Sequence, residues 1–276
     1  MSKLNFEAEL NDKQIQAVKT IDGPVLIIAG AGSGKTRVIT YRVAYMLERG
    51  IPQSAILALT FTNKAAREME ERVRELTRKK LQNLTVCTFH SFGVKILRED
   101  IERLGYRKNF SIYDETDRNQ LIKDCVRECG LSTENLDLYA VGQLFSNVKI
   151  GRASWGDGAN DAYESVYREY QECLKIYNAV DFDDLLVLPI RLFEEHPEVL
   201  AAYRERFRYL MVDEFQDTSG TQYRMMRLLA DRNVCVVGDD DQSIYSWRGA
   251  SYENIMNFER DRSEEHTSEL QSPNTI

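Results

Sequence analysis

Val25-Leu26-Ile27-Ile28 is a short apolar run, set off by Gly23-Pro24 in front and by glycines behind. That pattern reads as a buried strand entering a tight turn. The turn is Ala29-Gly30-Ala31-Gly32-Ser33-Gly34-Lys35-Thr36, and helical spacing then runs from about Lys35 to Leu47. Strand, glycine-rich turn and helix in this order form a cradle for a chain of phosphates. Glycines let the backbone curl and present its N–H groups with no side chain in the way. The helix start adds the positive end of its dipole. In such a cradle Lys35 reaches the β- and γ-phosphates of ATP, and the Thr36 hydroxyl binds Mg²⁺. The general spelling has Gly six positions before the lysine; here that position is Ala29.

A phosphate loop of this kind works with a second Mg²⁺ partner at the end of a neighbouring strand. Tyr209-Leu210-Met211-Val212 runs straight into Asp213-Glu214. Strand-end acidic pairs are common, but beside a phosphate loop they acquire roles. Asp213 holds the Mg²⁺ shell, and Glu214 polarises the attacking water as general base.

The rest of the chain supplies the frame. Ile56-Leu57-Ala58-Leu59-Thr60, Thr85-Val86-Cys87-Thr88 and Val234-Cys235-Val236-Val237 are further buried strands. Residues 64–80 place Ala65, Met69, Val73 and Leu76 on one helical face, with seven basic residues on the other sides. Val94, Leu97, Ile101 and Leu104 keep helical spacing after the third strand. Strand and helix alternating at this pitch predict a parallel, doubly wound α/β sheet. Between about Asn109 and Val180 the pattern is helical, with amphipathic stretches at 117–129 and 162–178 and a glycine-rich loop at 151–160. The simplest organisation is one α/β domain with a helical insertion: 1–108, insertion 109–183, and 184–261 completing the α/β part. The Asp181-Phe182-Asp183-Asp184 cluster marks the re-entry and reads as helix-start capping.

Composition narrows the class. With 43% hydrophobic and 29% charged residues over 276 positions, a disordered chain, a collagen and a disulfide-dense miniprotein are excluded. The net charge of −8 hides an asymmetry: residues 1–110 hold 19 basic and 12 acidic side chains, and residues 111–276 hold 17 and 32. The basic first part favours a polyanion partner there; a solvated charged face is the plainer reading. The longest aliphatic run, Val25 to Ala29, is far too short to span a bilayer, and the first ten residues contain no apolar leader. The five cysteines are scattered; Cys125 and Cys129 fall on an apolar helical face and read as core thiols, not zinc ligands. A reducing cytoplasm is the expected compartment. The final stretch, 262–276, is polar and aperiodic, and Arg262 to Ser272 match the in-frame translation of a common sequencing-library adapter. The natural frame is therefore expected to have been cut near Asp261 and to run on into adapter, a natural disordered tail being the alternative, and the stretch is left out of the fold.

Further motifs carry a family resemblance. Asp213-Glu214-Phe215-Gln216-Asp217-Thr218 is followed by the motif at 238–249, Gly-Asp-Asp-Asp-Gln-Ser-Ile-Tyr-Ser-Trp-Arg-Gly. Upstream lie the motifs at 60–69, Thr-Phe-Thr-Asn-Lys-Ala-Ala-Arg-Glu-Met, and at 88–91, Thr-Phe-His-Ser. Leu10 to Val18 precede the phosphate loop. In this order, over residues 9–260, they resemble the superfamily 1 DNA helicases of the UvrD/Rep/PcrA type, in which Ala29 is also the usual spelling. The resemblance implies a RecA-like P-loop NTPase domain (1A) interrupted by a helical 1B insertion. It implies an ATP- and Mg²⁺-dependent 3′-to-5′ helicase or single-strand translocase of DNA repair or replication. Its partners would be single-stranded DNA and single-strand/duplex junctions.

By the same resemblance, Gln14 reads the adenine edge and Gln242 senses the γ-phosphate. Phe61, Tyr245 and Trp247 form platforms for bases, while Thr60, Asn63, His90 and Arg248 line the same track. Stacking on aromatic faces tolerates any base sequence, which suits a moving grip. Trp247 as a core residue and His90 as a capping or core histidine are the structural alternatives. Trp155 is expected to pack on its own subdomain and not on duplex DNA. The family closes its ATP site with a second RecA-like domain carrying an adenine-stacking tyrosine and arginine fingers, and no motif for it occurs in these residues. These residues alone are therefore expected to bind Mg·ATP and turn it over poorly. A stand-alone ATP or single-strand binding module, and a P-loop enzyme of another class, are the competing readings.

Overall fold

Five short apolar runs lie side by side in parallel. In the computed structural model the residues described are 6–30, 32, 34–134, 136–156, 161–239, 254, 256–258, 260–261 and 274–275. The elements begin with α1 (Phe6–Glu9), α2 (Asp12–Lys19), β1 (Pro24–Ile28), α3 (Lys35–Glu48), β2 (Ile56–Thr60), α4 (Asn63–Thr77) and β3 (Thr85–Thr88). Next come α5 (Phe89–Asp100), β4 (Ser111–Ile112), α6 (Glu115–Glu128), α7 (Leu138–Lys149), α8 (Glu164–Ile176), β5 (Ala179–Val180) and α9 (Asp184–Glu195). The last are α10 (Pro197–Arg206), β6 (Tyr209–Val212), α11 (Gly220–Leu229), β7 (Asn233–Gly238) and β8 (Asn274–Thr275). They divide into two units, residues 1–89 with 197–276, and residues 90–196.

The first unit is the α/β part. Its strands run in the order β3-β2-β6-β7-β1-β8, and every pairing is parallel. All five residues of β2 are buried, as expected of a parallel strand covered on both faces. Helices α2, α3 and α4 cover the sheet with Val18, Val38, Val43, Met46, Met69 and Val73. Their starts are set by side chains: Asn11 and Gln14 form a reciprocal capping box on α2, and Thr62 accepts from the Ala65 N–H at the start of α4. The Arg42 guanidinium, 2% exposed, donates to the carbonyls of Ala17 and Thr20 and so ties the end of α2 to α3.

The class and the strands β1, β2, β3, β6 and β7 agree with the sequence reading. One element does not: residues 274–275, placed outside the fold by the sequence, pair with Val25 and Leu26 as an edge strand. The open side of β1 presents unpaired backbone groups, and extended chain satisfies them whatever its side chains.

The second unit is helical. Its core joins Leu121, Ile122, Cys125 and Val126 of α6 to Phe145 of α7 and to Val166 and Tyr170 of α8. Trp155 packs here, its ring 5.6 Å from that of Tyr167. Cys125 is buried and Cys129 is half-buried. A two-stranded ladder, Ser111–Ile112 against Ala179–Val180, closes the unit, where the sequence pattern shows helices alone. The unit starts at His90 and ends at His196, so α5 and α9 cluster with the helices between them. Gly93 explains part of this: a Cβ there would lie 1.7 Å from the Leu185 carbonyl oxygen, so α5 and α9 meet backbone to backbone.

Candidate active site

The carboxyl ends of the parallel strands share one edge of the first unit, the usual place for a ligand in an open α/β sheet. The phosphate loop follows β1, the Asp213-Glu214 pair follows β6, and Asp239 follows β7. The ladder carries them there: the Asp213 N–H donates to Leu59 O at 3.0 Å and the Ala29 N–H to Gly238 O at 3.1 Å.

Within the loop, Gly32 and Gly34 have φ of +76° and +87°, the left-handed region open to glycine. Gly34 is the N-cap of α3, so the helix dipole starts at the loop. Ala29 and Gly30 are half-buried; Ala31 and Ser33 lie outside the described residues. Gln14 borders the loop, its Nε2 3.3 Å from where a Gly34 Cβ would stand. Its Oε1 accepts from the Asn11 N–H at 2.9 Å, so the amide expected to read adenine also caps its own helix.

Lys35 is 8% exposed, and its Nζ is 2.6 Å from Asp239 Oδ2, itself fully buried. The Thr36 hydroxyl donates to Asp213 Oδ2 at 3.3 Å. The structure thus brings together the two residues that the sequence assigned to Mg²⁺. Hydroxyl and carboxylate oxygens are what this hard cation takes, and the donor set fits a magnesium-bound triphosphate. Asp213 is 3% exposed. Burial, and then the Glu214 carboxylate next to it, push its pKa up to about 6.

Glu214 leaves the strand with φ +49°, an uncommon conformation for a residue with a side chain. Its N–H donates to Asp213 Oδ1 at 3.0 Å. Its Oε2 accepts from Gln216 Nε2 at 2.7 Å, and Gln216 Oε1 accepts from the Asp239 N–H at 3.0 Å. Gln216 and Asp239 both stand inside the motifs at 213–218 and 238–249, yet neither has a role in the sequence reading. Their signal was membership of those motifs; the Glu214 partner of Gln216 is local, whereas the Gln216–Asp239 and Lys35–Asp239 contacts depend on strand order.

The residues expected to touch DNA are spread more widely. Thr60 is 1% exposed and its hydroxyl donates to Thr62 O at 3.1 Å, so it shapes the loop after β2. Phe61 is half-buried, with its ring 6.1 Å from that of Phe89. Asn63 is exposed at the start of α4. Gln242, Tyr245, Trp247 and Arg248 lie outside the described residues.

In the second unit, His90 stacks on Phe182 at 4.0 Å and 20°, and burial lowers its pKa. Phe182 is 60% exposed, an aromatic surface that the capping interpretation overlooked. The capping itself is present: Asp181 and Asp184 each accept from the other's N–H, at 2.9 and 3.0 Å. Beneath it lies a buried cluster. Lys149 Nζ is 2.5 Å from Asp181 Oδ2 and 3.0 Å from Asp184 Oδ1, and the Tyr170 hydroxyl donates to Asp181 Oδ2 at 2.8 Å.

No helix among the described residues is long and apolar enough to cross a membrane. The family model of the UvrD/REP helicase N-terminal domain matches residues 10–263. The chain is 46% identical over 268 residues to the ATP-dependent DNA helicase PcrA of Staphylococcus aureus (strain Mu50 / ATCC 700699), covering 94% of this chain and 37% of that protein. It is 45% identical over 269 residues to PcrA of Staphylococcus epidermidis (strain ATCC 12228 / FDA PCI 1200), with the same coverage. The chain thus spans little more than a third of the length of these relatives. With the phosphate loop, the acidic pair and their strand order in place, the chain belongs to the UvrD/REP helicase N-terminal domain family.

Proposed function

We propose that this chain is the nucleotide-binding part, RecA-like domain 1A with its helical 1B insertion, of an ATP-driven 3′-to-5′ single-strand translocase and helicase acting in DNA repair or replication. The carrying observation is the meeting of Thr36 and Asp213, 3.3 Å apart, at the sheet edge that also holds Lys35 and Glu214. In this reading, Lys35 leaves Asp239 to pair with the β- and γ-phosphates. Thr36 and Asp213 hold Mg²⁺, which neutralises charge on the phosphates when bound. Glu214 takes the proton of the attacking water, and Gln14 and Gln242 read the base and the γ-phosphate. Phe61, Tyr245 and Trp247 grip single-stranded bases, with Asn63, His90 and Arg248 along the strand; Thr60, buried, acts only by shaping the turn that carries Phe61 and Asn63. The exposed Phe182 ring extends the aromatic surface beside His90.

An arginine finger supplies roughly 10³–10⁵ in rate in related phosphoryl transfers. Translocation needs a second domain that opens and closes around ATP. The 276 residues by themselves are therefore expected to bind Mg·ATP, to hydrolyse it slowly and not to unwind a duplex. The test is purified chain assayed with and without single-stranded DNA. Slow hydrolysis that Lys35→Ala abolishes agrees with the proposal, as does an oligonucleotide affinity that Trp247→Ala lowers by roughly 1–3 kcal/mol. DNA-stimulated turnover at the rate of a complete helicase would refute the assignment of a partial site. Mg·ATP affinity unchanged in Lys35→Ala would refute the site itself.

A further inference from the structure

We propose that Gln216 is the positioning residue of the Glu214 carboxylate, and that it ties the base to the end of β7. The inference rests on the reading of Glu214 as general base. A base must point its lone pair at the proton it takes, yet Glu214 sits on the turn after β6, and a glutamate side chain has several rotamers to choose from. One of its oxygens is held: Oε2 accepts from Gln216 Nε2 at 2.7 Å. The holder is itself held, because Gln216 Oε1 accepts from the Asp239 N–H at 3.0 Å. With donor and acceptor ends both engaged, and only 3% of the residue exposed, the amide has one orientation.

Gly238 makes the room. A Cβ on it would come within 3.3 Å of Gln216 Oε1 and 3.7 Å of the Phe215 Cβ. The same Asp239 pairs through its carboxylate with Lys35. Lys35, Asp239, Gln216 and Glu214 therefore form one hydrogen-bonded chain from the phosphate lysine to the base, across the ends of β1, β7 and β6. Gln216 touches no phosphate-binding group through its side chain, so its effect falls on the hydrolytic step and not on nucleotide affinity.

The test uses the 276-residue chain in excess over ATP at saturating Mg²⁺, with single-turnover hydrolysis followed across pH and affinity measured with a fluorescent ATP analogue. Gln216→Glu keeps an acceptor for the Asp239 N–H but replaces the donor facing Glu214 with a second carboxylate. Gln216→Leu removes both bonds. Both variants are expected to bind nucleotide within about threefold of wild type and to hydrolyse it roughly 10–100-fold more slowly, part of what a positioned base supplies. In Gln216→Glu the acid limb of the rate profile moves to higher pH, because two adjacent carboxylates resist ionising together, and raising the pH recovers part of the rate. Gln216→Leu shows no such recovery. Should Gln216→Leu fail to fold, the near-isosteric Gln216→Glu decides alone. A Gln216→Glu chain with wild-type rate and pH profile overturns the proposal, and so does a loss that appears equally in affinity. If wild type and Lys35→Ala hydrolyse ATP at the same rate, the reading of the site falls, and this inference with it.

Discussion

Asp213 is built against its own stability. Its carboxylate is buried beside Glu214, and its pKa in the folded chain is about 6 against an ordinary 3.8. A raised carboxylate pKa means that the folded state holds the proton more tightly than the unfolded one. The group's penalty is absent below about pH 4, builds as pH rises from about 4 to 6 and is complete above that. At about 1.4 kcal/mol per unit the full penalty is about 3 kcal/mol. Asp213→Asn is therefore expected to stabilise the nucleotide-free chain by about 2–3 kcal/mol at pH 8 and by little at pH 4, measured by urea unfolding. An equal effect at both pH values would remove the electrostatic explanation. On the proposed reading, a bound Mg²⁺ would offset that penalty. Asp213, Lys35 and Thr36 were expected from the sequence because phosphate and Mg²⁺ chemistry would dictate residue type and spacing, and the structure places Thr36 against Asp213. Gln216 and Asp239 could not be assigned roles in the same way. The bond between them exists because β7 lies next to β6, and the Lys35–Asp239 pair because β7 lies next to β1; strand order is not written in any of these motifs.

At the scale of elements, β1, β2, β6 and β7 were legible because each contains a run of four apolar residues, and β3 because its Thr-Val-Cys-Thr run, rich in β-branched residues, stands between two helical stretches. Ala179–Val180 is two residues long, too short for any periodicity. The start of α5 at Phe89 was equally hidden, since the helix follows β3 with no intervening residue. The capping of α9 was read correctly, but the charge below it was not. Lys149 stands at the end of α7, thirty-two residues before Asp181, and nothing local marks it as buried. Burial lowers the Lys149 pKa, yet Asp184 and Asp181 together outweigh burial and raise it. The aspartates divide the benefit unequally. Burial raises Asp181 but Lys149 and its hydrogen bonds bring it below the ordinary value, whereas burial leaves Asp184 at about 7. Removing one partner of such a cluster strands the other charges without water. Lys149→Met is expected to destabilise the chain by about 3–5 kcal/mol. Adding Asp181→Asn and Asp184→Asn should restore much of the loss, because no buried charge then lacks a partner. Urea unfolding of the single and triple variants checks this; a triple variant no more stable than the single one would show that Lys149 acts through packing alone.

For the molecule as a whole, the division into two units separates the two ligands unequally. Every described residue assigned to nucleotide, from Gln14 through the phosphate loop to Asp213, Glu214 and Asp239, falls in the unit made of 1–89 and 197–276. The residues assigned to DNA occupy both units, with His90 and Phe182 in 90–196. A ligand that binds only the folded state stabilises what it touches, by about 2.7 kcal/mol when present at a hundred times its dissociation constant. Local opening elsewhere is unaffected unless the units open together. A non-hydrolysable Mg·ATP analogue is therefore expected to slow amide hydrogen exchange at the ends of β1, β6 and β7 and in the first turns of α3, while leaving α6, α7 and α8 unchanged. Lys35→Ala should abolish the protection. A short single-stranded oligonucleotide should add protection around His90 and Phe182, where the analogue gives none. If the analogue protected the α6–α8 core as strongly as the sheet, the units would be opening as one. Nucleotide binding would then be a property of the whole chain and not of the α/β part.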